Sequence, residues 1–543
     1  MLKTLQNNPI LTIFLLVLVM LGLGLDVLPV SIMEARNFIT AREMLTDGNW
    51  LLTTMNGLPR YEKPPLPTWL TAISGLLFGI KSVAALRLPA VLFVALTGVG
   101  IYLLSKKLLG DKEQSFINAL IGVTSFYVIG IIIEAPWDIF THGFMLIAIY
   151  FLFEFFQVRQ NFKTSLLAGC FIGFSILSKG PISIYALLLP FLIAYGFTYK
   201  FQLSRKQWMW IFNCVIVSLV IGGWWYLYIR LNDPQAFKSI ANKETSNWGS
   251  YNVKPFYYYW SFFMQSGIWT IPAFVSLLYP YLKTKVSNLK AYRLSLLWTI
   301  LSVILLSIVP EKKARYLMPV LIPLAINTGF YIEYLIKRFR NLRDKRETFP
   351  VYFNFGLIAF IGILFPLIGF AFGPFLTGKI LVWYILASMF LLIIGVSILI
   401  YLRRKNIMHV FYLSVAFMAS VLIIIVPLSK IQGYADYNPI SRLKKENSSQ
   451  DINVYSLGYI APEIIWQYGG KIPPIKDEGG KIKLPEDSEF GLLANSIDKE
   501  DATYLEANYT FEKKETYDLN TSSQNSKKYN NRLICDYYIL TKR

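Results

Sequence analysis

The chain has 543 residues, 55% of them hydrophobic and 16% aromatic, with only 16% charged and a mean hydropathy of +0.45. That balance excludes a water-soluble globular protein of this length, which would carry more charge and break its apolar runs more often. The formal charge of +20 does not imply a nucleic-acid partner, because residues 430–543 hold 16 basic and 17 acidic side chains and the excess lies wholly in the apolar part, where it orients helices in a bilayer.

Apolar runs of about twenty residues read as membrane-spanning helices, since roughly that length of helix crosses the hydrocarbon core. About thirteen are predicted on that criterion, at 9–30, 85–105, 115–134, 138–156, 165–179, 181–198, 209–230, 258–281, 293–310, 316–336, 352–373, 379–402 and 409–428. The first is long and lacks small-residue cleavage chemistry after it, so a retained helix is expected instead of a cleaved signal. Residues 32–84 form a long loop. Within it, "MEARNFITAREML" has an amphipathic helical pattern and "PLPTWLTAISGLLFG" is short and proline-led; both are expected to lie in the membrane interface. The joins at 134–138 and 179–181 are tight. Alternate loops are rich in Lys and Arg, as at Lys106, Lys107 and Lys112, Lys200 to Lys206, Lys283 to Arg293, Lys337 to Arg346, and Arg403 to Lys405. Such loops resist translocation, which puts loop 32–84 and, after an odd number of spans, the C-terminal segment outside.

From about residue 430 the character changes. "INVYSLGYI" and "RLICDYYILTK" read as strands, and "PEIIWQYGG" as a short helix ended by glycine. The expected fold class is therefore a polytopic α-helical membrane domain over 1–429, with interfacial helices in its first outer loop, and a small extracytoplasmic α/β domain over 430–543. Cys170 and Cys214 sit in apolar runs and Cys535 is alone in the tail, so no disulfide framework is expected.

This topology gathers scattered charges on the outer side. They are Glu34 and Arg36; Arg60, Glu62 and Lys63, with Tyr61 among them; Glu134 and Asp138; Lys179; Glu244 and Lys254; and Glu311, Lys312, Lys313 and Arg315, followed by Tyr316. Ionisable groups at the membrane are costly to desolvate, so several at one depth mark a site more often than chance. Many cations beside a few carboxylates suit a phosphate clamped by Lys and Arg next to a carboxylate base. Bland readings stand beside this one. Arg36, Arg42 and Glu43 would be the wet face of an interfacial helix, Lys179 would snorkel, Asp138 would cap its helix, and Glu62 would pair with Lys63 on the surface. "FYYYW" at 256–260 would be an aromatic belt. The outer "KKAR" cluster runs against the positive-inside bias, which favours a functional role. Neither His142, within a span, nor His409, at an inner helix end, is expected beside the outer carboxylates. No metal site is therefore assigned; a divalent metal stays open, without a histidine ligand on the outer face. No Walker-type or GxGxxG loop in a strand–helix setting calls for a nucleotide or other cofactor.

The pieces "EARNFITAREMLTDGNWLLTTMNGLPRYEKPPLPTWL", "PWDIF", "LSKGPI", "WWYLYIRLNDPQAF" and "KKARYLMPVLIPLA" run in family order across most of the membrane region. Together they resemble a GT-C glycosyltransferase of the protein O-mannosyltransferase and lipid A aminoarabinose transferase type. The resemblance implies a polyprenyl-phosphate-linked sugar donor, such as an undecaprenyl-phosphate monosaccharide. It implies transfer to a lipid, protein or glycan acceptor on the outer face of the bacterial inner membrane. Lys63 with Glu62 matches the family's EKPP loop, whose Lys contacts the donor phosphate, and Lys179, Lys312, Lys313 and Arg315 would be further phosphate contacts. Arg60 joins them as a candidate, and Tyr61, Glu62, Tyr316 and Glu244 are candidate substrate contacts. Asp138 matches the acidic residue at the start of the family's fourth span. Where the family has Asp-Glu in the first outer loop this chain has Met33–Glu34, with Asn37 in place of the following Tyr. The base is then Glu34, Asp138 or Glu134, or this branch uses different chemistry. The family's zinc histidines also lack a counterpart, with Asn252 near the expected place. Expected chemistry is inverting: a carboxylate deprotonates the acceptor, which attacks C1 of the sugar while cations hold the leaving phosphate. A lipid-linked sugar transporter or flippase is one rival, and would need broken helices and mid-membrane charge. A non-catalytic envelope subunit is the other.

Overall fold

The structure, a computed structural model, describes residues 6–134, 136–157, 161–369, 378–425, 437–450, 452–476 and 480–543. The chain forms two compact units. One is made of Met1–Leu28, Tyr61–Leu70 and Ser82–Ser429; the other of Pro29–Arg60, Thr71–Lys81 and Lys430–Arg543. The loop after the first helix is thus shared between units that sequence order alone would separate at 429/430, a boundary that lies outside the described residues.

The first unit is a bundle of helices. Among the described residues eight are long and apolar enough to cross a membrane: Val83–Leu109, Pro136–Gln157, Arg205–Asn232, Leu289–Ile308, Ala314–Asn341, Lys345–Leu367, Ile380–Arg403 and Ile407–Ile424. Lys112–Val123 and Phe126–Glu134, bent by 44°, make a ninth if they are one span. This is a polytopic helical membrane protein. Four of the thirteen expected spans do not meet the same criterion, for separate reasons. Pro9–Gly22 and Ile184–Thr198 are short. Phe162–Lys179 carries Lys163 and Lys179 near its two ends. The stretch 258–281 is not one helix: Pro255 opens a 3-10 turn at Phe256–Tyr259, another runs over Phe262–Trp269, and Gly267 at φ 67° breaks it before Thr270–Ser276. The ends of the expected spans 352–373 and 409–428 fall on residues outside those described.

Helices in this unit approach closely where side chains are smallest. Phe162–Lys179 packs on Arg205–Asn232 through Gly169, Gly173 and Gly222. A Cβ on Gly169 would lie 2.6 Å from the Cys214 carbonyl oxygen, and one on Gly173 would lie 2.6 Å from Ile221 Cβ. The Gly169–Gly173 spacing is the small-xxx-small pattern that lets two backbones touch where lipid supplies no hydrophobic drive. Buried hydrogen bonds add direction elsewhere: Trp269 Nε1 donates to Thr124 Oγ1 at 2.8 Å, and Asn327 Nδ2 to the Ser276 carbonyl at 2.9 Å. Arg87, buried, donates to the carbonyls of Leu25 and Leu28 beyond the first helix.

The second unit is built on a sheet. Strands β1 (Thr54–Met55) and β2 (Leu58–Pro59) form a hairpin; β3 (Val454–Leu457), β4 (Glu489–Ala494), β5 (Tyr509–Asp518) and β6 (Ile534–Lys542) form a sheet in the order β3-β4-β6-β5. Only β3 and β4 run parallel. The predicted strands correspond to β3 and β6, and the predicted helix to Pro462–Tyr468, which ends at Gly469 with φ 77°. The helix Ile32–Asp47 is not an open interfacial helix. Phe38, Ile39, Ala41 and Met44 are buried, and so are Arg42 and Glu43. It packs against Pro462–Tyr468, with the rings of Phe38 and Trp466 5.3 Å apart. Its amphipathic pattern was satisfied by protein from more than four hundred residues away, a partner that local periodicity does not reveal. Glu43 closes the hairpin: its carboxylate accepts from Thr54 Oγ1, Asn56 N and Gly57 N. Asn56 and Gly57 both have positive φ, the turn geometry that two-residue hairpins prefer. The Asn56 side chain in turn exchanges two 2.7 Å hydrogen bonds with the backbone of Ile472.

Gly173→Leu should lower the thermal stability of the detergent-solubilised protein, by about 1–3 kcal/mol for an overpacked contact. Gly223→Ala, with nothing within 4 Å of its Cβ position, should leave the melting temperature unchanged. Equal behaviour of the two would show that the glycine contact does not set this helix pair.

Candidate functional site

Pro136 opens the helix Pro136–Gln157 and Asp138 falls in its first turn, where helix N-terminal N–H groups favour a carboxylate. The next helix returns antiparallel and ends at Lys179, because Gly180 with φ 74° turns the chain. Asp138 and Lys179 therefore meet, and Lys179 Nζ donates to Asp138 Oδ1. The side chains are 2% and 10% exposed, so Lys179 does not snorkel away and Asp138 is more than a cap. The second carboxylate oxygen, Asp138 Oδ2, is buried with no hydrogen-bond partner among the described residues.

Tyr316 is the other organiser. Its ring centre lies 5.2 Å from Lys179 Nζ, 5.6 Å from Lys313 Nζ and 5.9 Å from Arg315 Cζ, within the range of cation–π attraction. Its hydroxyl donates to Glu311 Oε1 at 3.2 Å, and Lys313 Nζ meets the same oxygen at 2.6 Å. The charges of Lys63 and Arg315 act on Lys179, and those of Arg315 and Asp138 act on Glu134. Lys63, Lys179, Lys313, Arg315, Tyr316, Asp138 and Glu134 thus occupy one region of the helical unit.

The "YEKPP" loop reaches the helix Pro234–Ser250. Tyr61 OH donates to Asp233 Oδ2 at 2.8 Å, while burial and the Asp233 charge push the Tyr61 hydroxyl well above the ordinary tyrosine range. Asp233 also caps that helix, accepting from Ala236 N at 3.2 Å. Lys63 Nζ is 3.4 Å from Glu244 Oε2, with both side chains more than a quarter exposed, so this pair is weak and exchangeable. Glu62 does not pair with Lys63; its Oε2 is buried without a partner among the described residues.

Three expected members are engaged elsewhere. Lys312 is 3% exposed and donates to the carbonyls of Val309, at 2.6 Å, and Lys254, at 3.1 Å. Burial lowers its pKa, and it clasps two loop strands that also pair at Val253 and Glu311. Arg60 and Glu34 belong to the second unit. Arg60 Nη1 donates to Thr40 Oγ1 at 2.8 Å and to the Arg36 carbonyl at 3.1 Å. Glu34 is fully buried, and its carboxylate accepts from Ser31 N in a capping box.

His142 corrects the sequence reading. It lies one helical turn past Asp138, with Nε2 3.9 Å from Asp138 Oδ1 and Nδ1 2.9 Å from Ser183 Oγ. The i, i+4 spacing in "PWDIFTH" was the available signal; placing His142 by depth in its span obscured it. Among the described residues no group of three or more His, Cys, Asp and Glu could hold a metal ion. What the arrangement offers is a concentration of cations, each partnered by an exchangeable carboxylate or aromatic face, beside a buried carboxylate oxygen. That is a setting for a phosphate-bearing ligand and a proton acceptor.

The family model described as dolichyl-phosphate-mannose-protein mannosyltransferase matches residues 62–226. An uncharacterized protein of Aquifex aeolicus is 26% identical over 367 residues, covering 63% of this chain and 68% of that one. The undecaprenyl phosphate-alpha-4-amino-4-deoxy-L-arabinose arabinosyl transferase 1 of Pseudomonas fluorescens is 25% identical over 313 residues, covering 54% of each chain. The match thus spans about half the length of that transferase. The fold is that of the crystal structure of ArnT from Cupriavidus metallidurans bound to undecaprenyl phosphate: TM-score 0.67 at 15% identity, over 99% of this chain and 97% of that one.

Lys312→Met should destabilise the protein by about 1–3 kcal/mol, the cost of leaving buried carbonyls unsatisfied, read as a lower melting temperature. An unchanged melting temperature would mean that the clasp does not hold these loops.

Proposed function

We propose that this chain, whose fold and sequence matches are those of the GT-C superfamily of membrane glycosyltransferases, moves a sugar from a polyprenyl-phosphate donor to an acceptor hydroxyl or phosphate. The observation that carries the proposal is the buried Asp138–Lys179 pair within reach of the charges of Lys63 and Arg315. Lys63, Lys179, Lys313 and Arg315 hold the donor phosphate, and Asp138 offers Oδ2 to the acceptor. The acceptor O–H gives its proton to the carboxylate, its oxygen bonds to C1 of the sugar, and the C1–O bond to phosphate breaks with inversion. The electron pair leaves with polyprenyl phosphate, where the cations stabilise it. A phosphate ester is already an activated leaving group, so no nucleotide takes part. Glu134, Glu62, Tyr61, Glu244 and Tyr316 line the sugar or acceptor side. The engagement of Glu34, Arg60 and Lys312 in backbone and capping contacts favours Asp138 over Glu34 as base and removes Lys312 from the first rank of phosphate contacts.

The proposed setting is the bacterial inner membrane, with the site and residues 430–543 on the periplasmic side and about thirteen membrane segments in 1–429, the shorter ones included. Supporting this, the Lys107–Glu154 pair with its basic loop lies at the far end of the Asp138 helix, about 24 Å away at 1.5 Å per residue. The arabinosyl transferase relatives favour an aminopentose donor and the mannosyltransferase family model a hexose, and lipid A, a protein or a glycan is the acceptor class. Charges that cluster at helix ends, and not at mid-span, weigh against a transporter.

In proteoliposomes supplied with undecaprenyl-phosphate sugars and membrane acceptors, Asp138→Asn should reduce transfer by about a hundredfold or more, the usual weight of a positioned proton acceptor. Lys179→Met, which removes a phosphate contact and leaves Asp138 without its counter-charge, should also lose most transfer. Glu34→Gln should stay within a few-fold of the parent. Undiminished transfer by Asp138→Asn would remove it as the base.

A further inference from the structure

His142 is 2% exposed, Ser183 fully buried and Asp138 1% exposed. Here both ring nitrogens face polar groups, Ser183 from a following segment and Asp138 from His142's own helix. Nδ1 is 2.9 Å from Ser183 Oγ; Nε2 faces Asp138 Oδ1 at 3.9 Å, the oxygen that already receives Lys179. A bare Nε2 lone pair pointed at a carboxylate would be repelled, and the repulsion is strong where water is excluded. The proton therefore belongs on Nε2, which makes Nδ1 the acceptor and Ser183 Oγ–H the donor.

Ser183 is held for this task. It precedes a π-helical turn, Ile184–Leu188, a deviation that re-aims side chains and recurs at functional sites. The turn is anchored on both sides: Trp298 Nε1 donates to the Leu187 carbonyl at 3.0 Å, and Tyr185 OH to the Leu305 carbonyl at 2.7 Å. We propose that His142 is a positioning residue for Asp138: the Asp138 carboxylate sets its tautomer, Ser183 satisfies Nδ1, and its Nε2–H faces Oδ1 beside Lys179 so that Oδ2 stays presented. The inference rests on the reading of Asp138 as a participant in transfer. It adds a three-residue support, Ser183–His142–Asp138, to that reading.

The sequence holds two histidines, so a full-length His409→Gln protein labelled with 15N-histidine and reconstituted in lipid nanodiscs reports His142 alone. The expected result is a neutral ring protonated on Nε2. A proton on Nδ1 in the parent overturns the proposal. In transfer assays His142→Gln, which keeps an N–H near the Nε2 position, should retain kcat within about threefold. His142→Phe should lose about tenfold or more in kcat with the donor KM unchanged, since the group acts through the base and not on donor binding. Equal kcat in the two variants overturns the positioning role. A parent without any transfer overturns the functional reading instead, and the nitrogen spectra then decide the ring's placement by themselves.

Discussion

The candidate site turns on one contact, the buried ion pair between Asp138 and Lys179. Such a pair is a poor device for stability, because taking both charges out of water costs several kcal/mol per ion and their attraction recovers this only with good geometry. Here geometry comes from the backbone. Pro136 and Gly180 fix where two antiparallel helices end, and the glycines at 169, 173 and 222 fix how closely the Lys179 helix approaches Arg205–Asn232. Small residues deep in the bundle thus determine where an ammonium group sits at its rim.

Two adjacent lysines show how finely the loop 309–316 is set. Lys312 turns inward to backbone carbonyls, while Lys313 faces Glu311, Tyr316 and, at 4.8 Å, the ring of Tyr251. Neighbouring side chains on an extended segment point to opposite sides, and the bridge between Val253 and Glu311 imposes that extension. Tyr259 OH locks it further, accepting from Lys313 N and donating to Lys313 O, both at 3.0 Å. The aromatic run that reads as a membrane belt therefore contributes at least one ring to the loop's architecture, although Tyr257 and Trp260 remain exposed.

Helices were legible because their signal is local. Apolar runs and cationic loops are properties of twenty-residue windows, and they put Asp138, at the start of one helix, and Lys179, at the end of the next, on the same side of the membrane region. What the sequence left hidden is pairwise. An amphipathic pattern at 33–45 says that one face is covered but not by what, so the segment read as a bilayer helix when Trp466 and its neighbours cover it. A charge count cannot tell Lys312 from Lys313, since both are Lys in a "KKAR" string. His142 was misplaced for a related reason: depth along a span says nothing about which carboxylate shares its face, whereas the i, i+4 rule does.

The cations also come with counter-charges. Lys179 has Asp138, Lys313 has Glu311 and Lys63 has Glu244, at side-chain exposures that rise from 10% and 2% in the first pair to 27% and 39% in the last. Four positive groups acting on one another would repel strongly at low effective dielectric, and the carboxylates offset that repulsion. A phosphate entering such a cluster exchanges one anion for another instead of neutralising bare charge. The exchange is easiest where water already competes, at Lys63, and hardest at Lys179, whose partner also faces His142. On the proposed function, binding would proceed from the wet edge inward, and the buried pair, last to open, lies against an oxygen with no partner among the described residues.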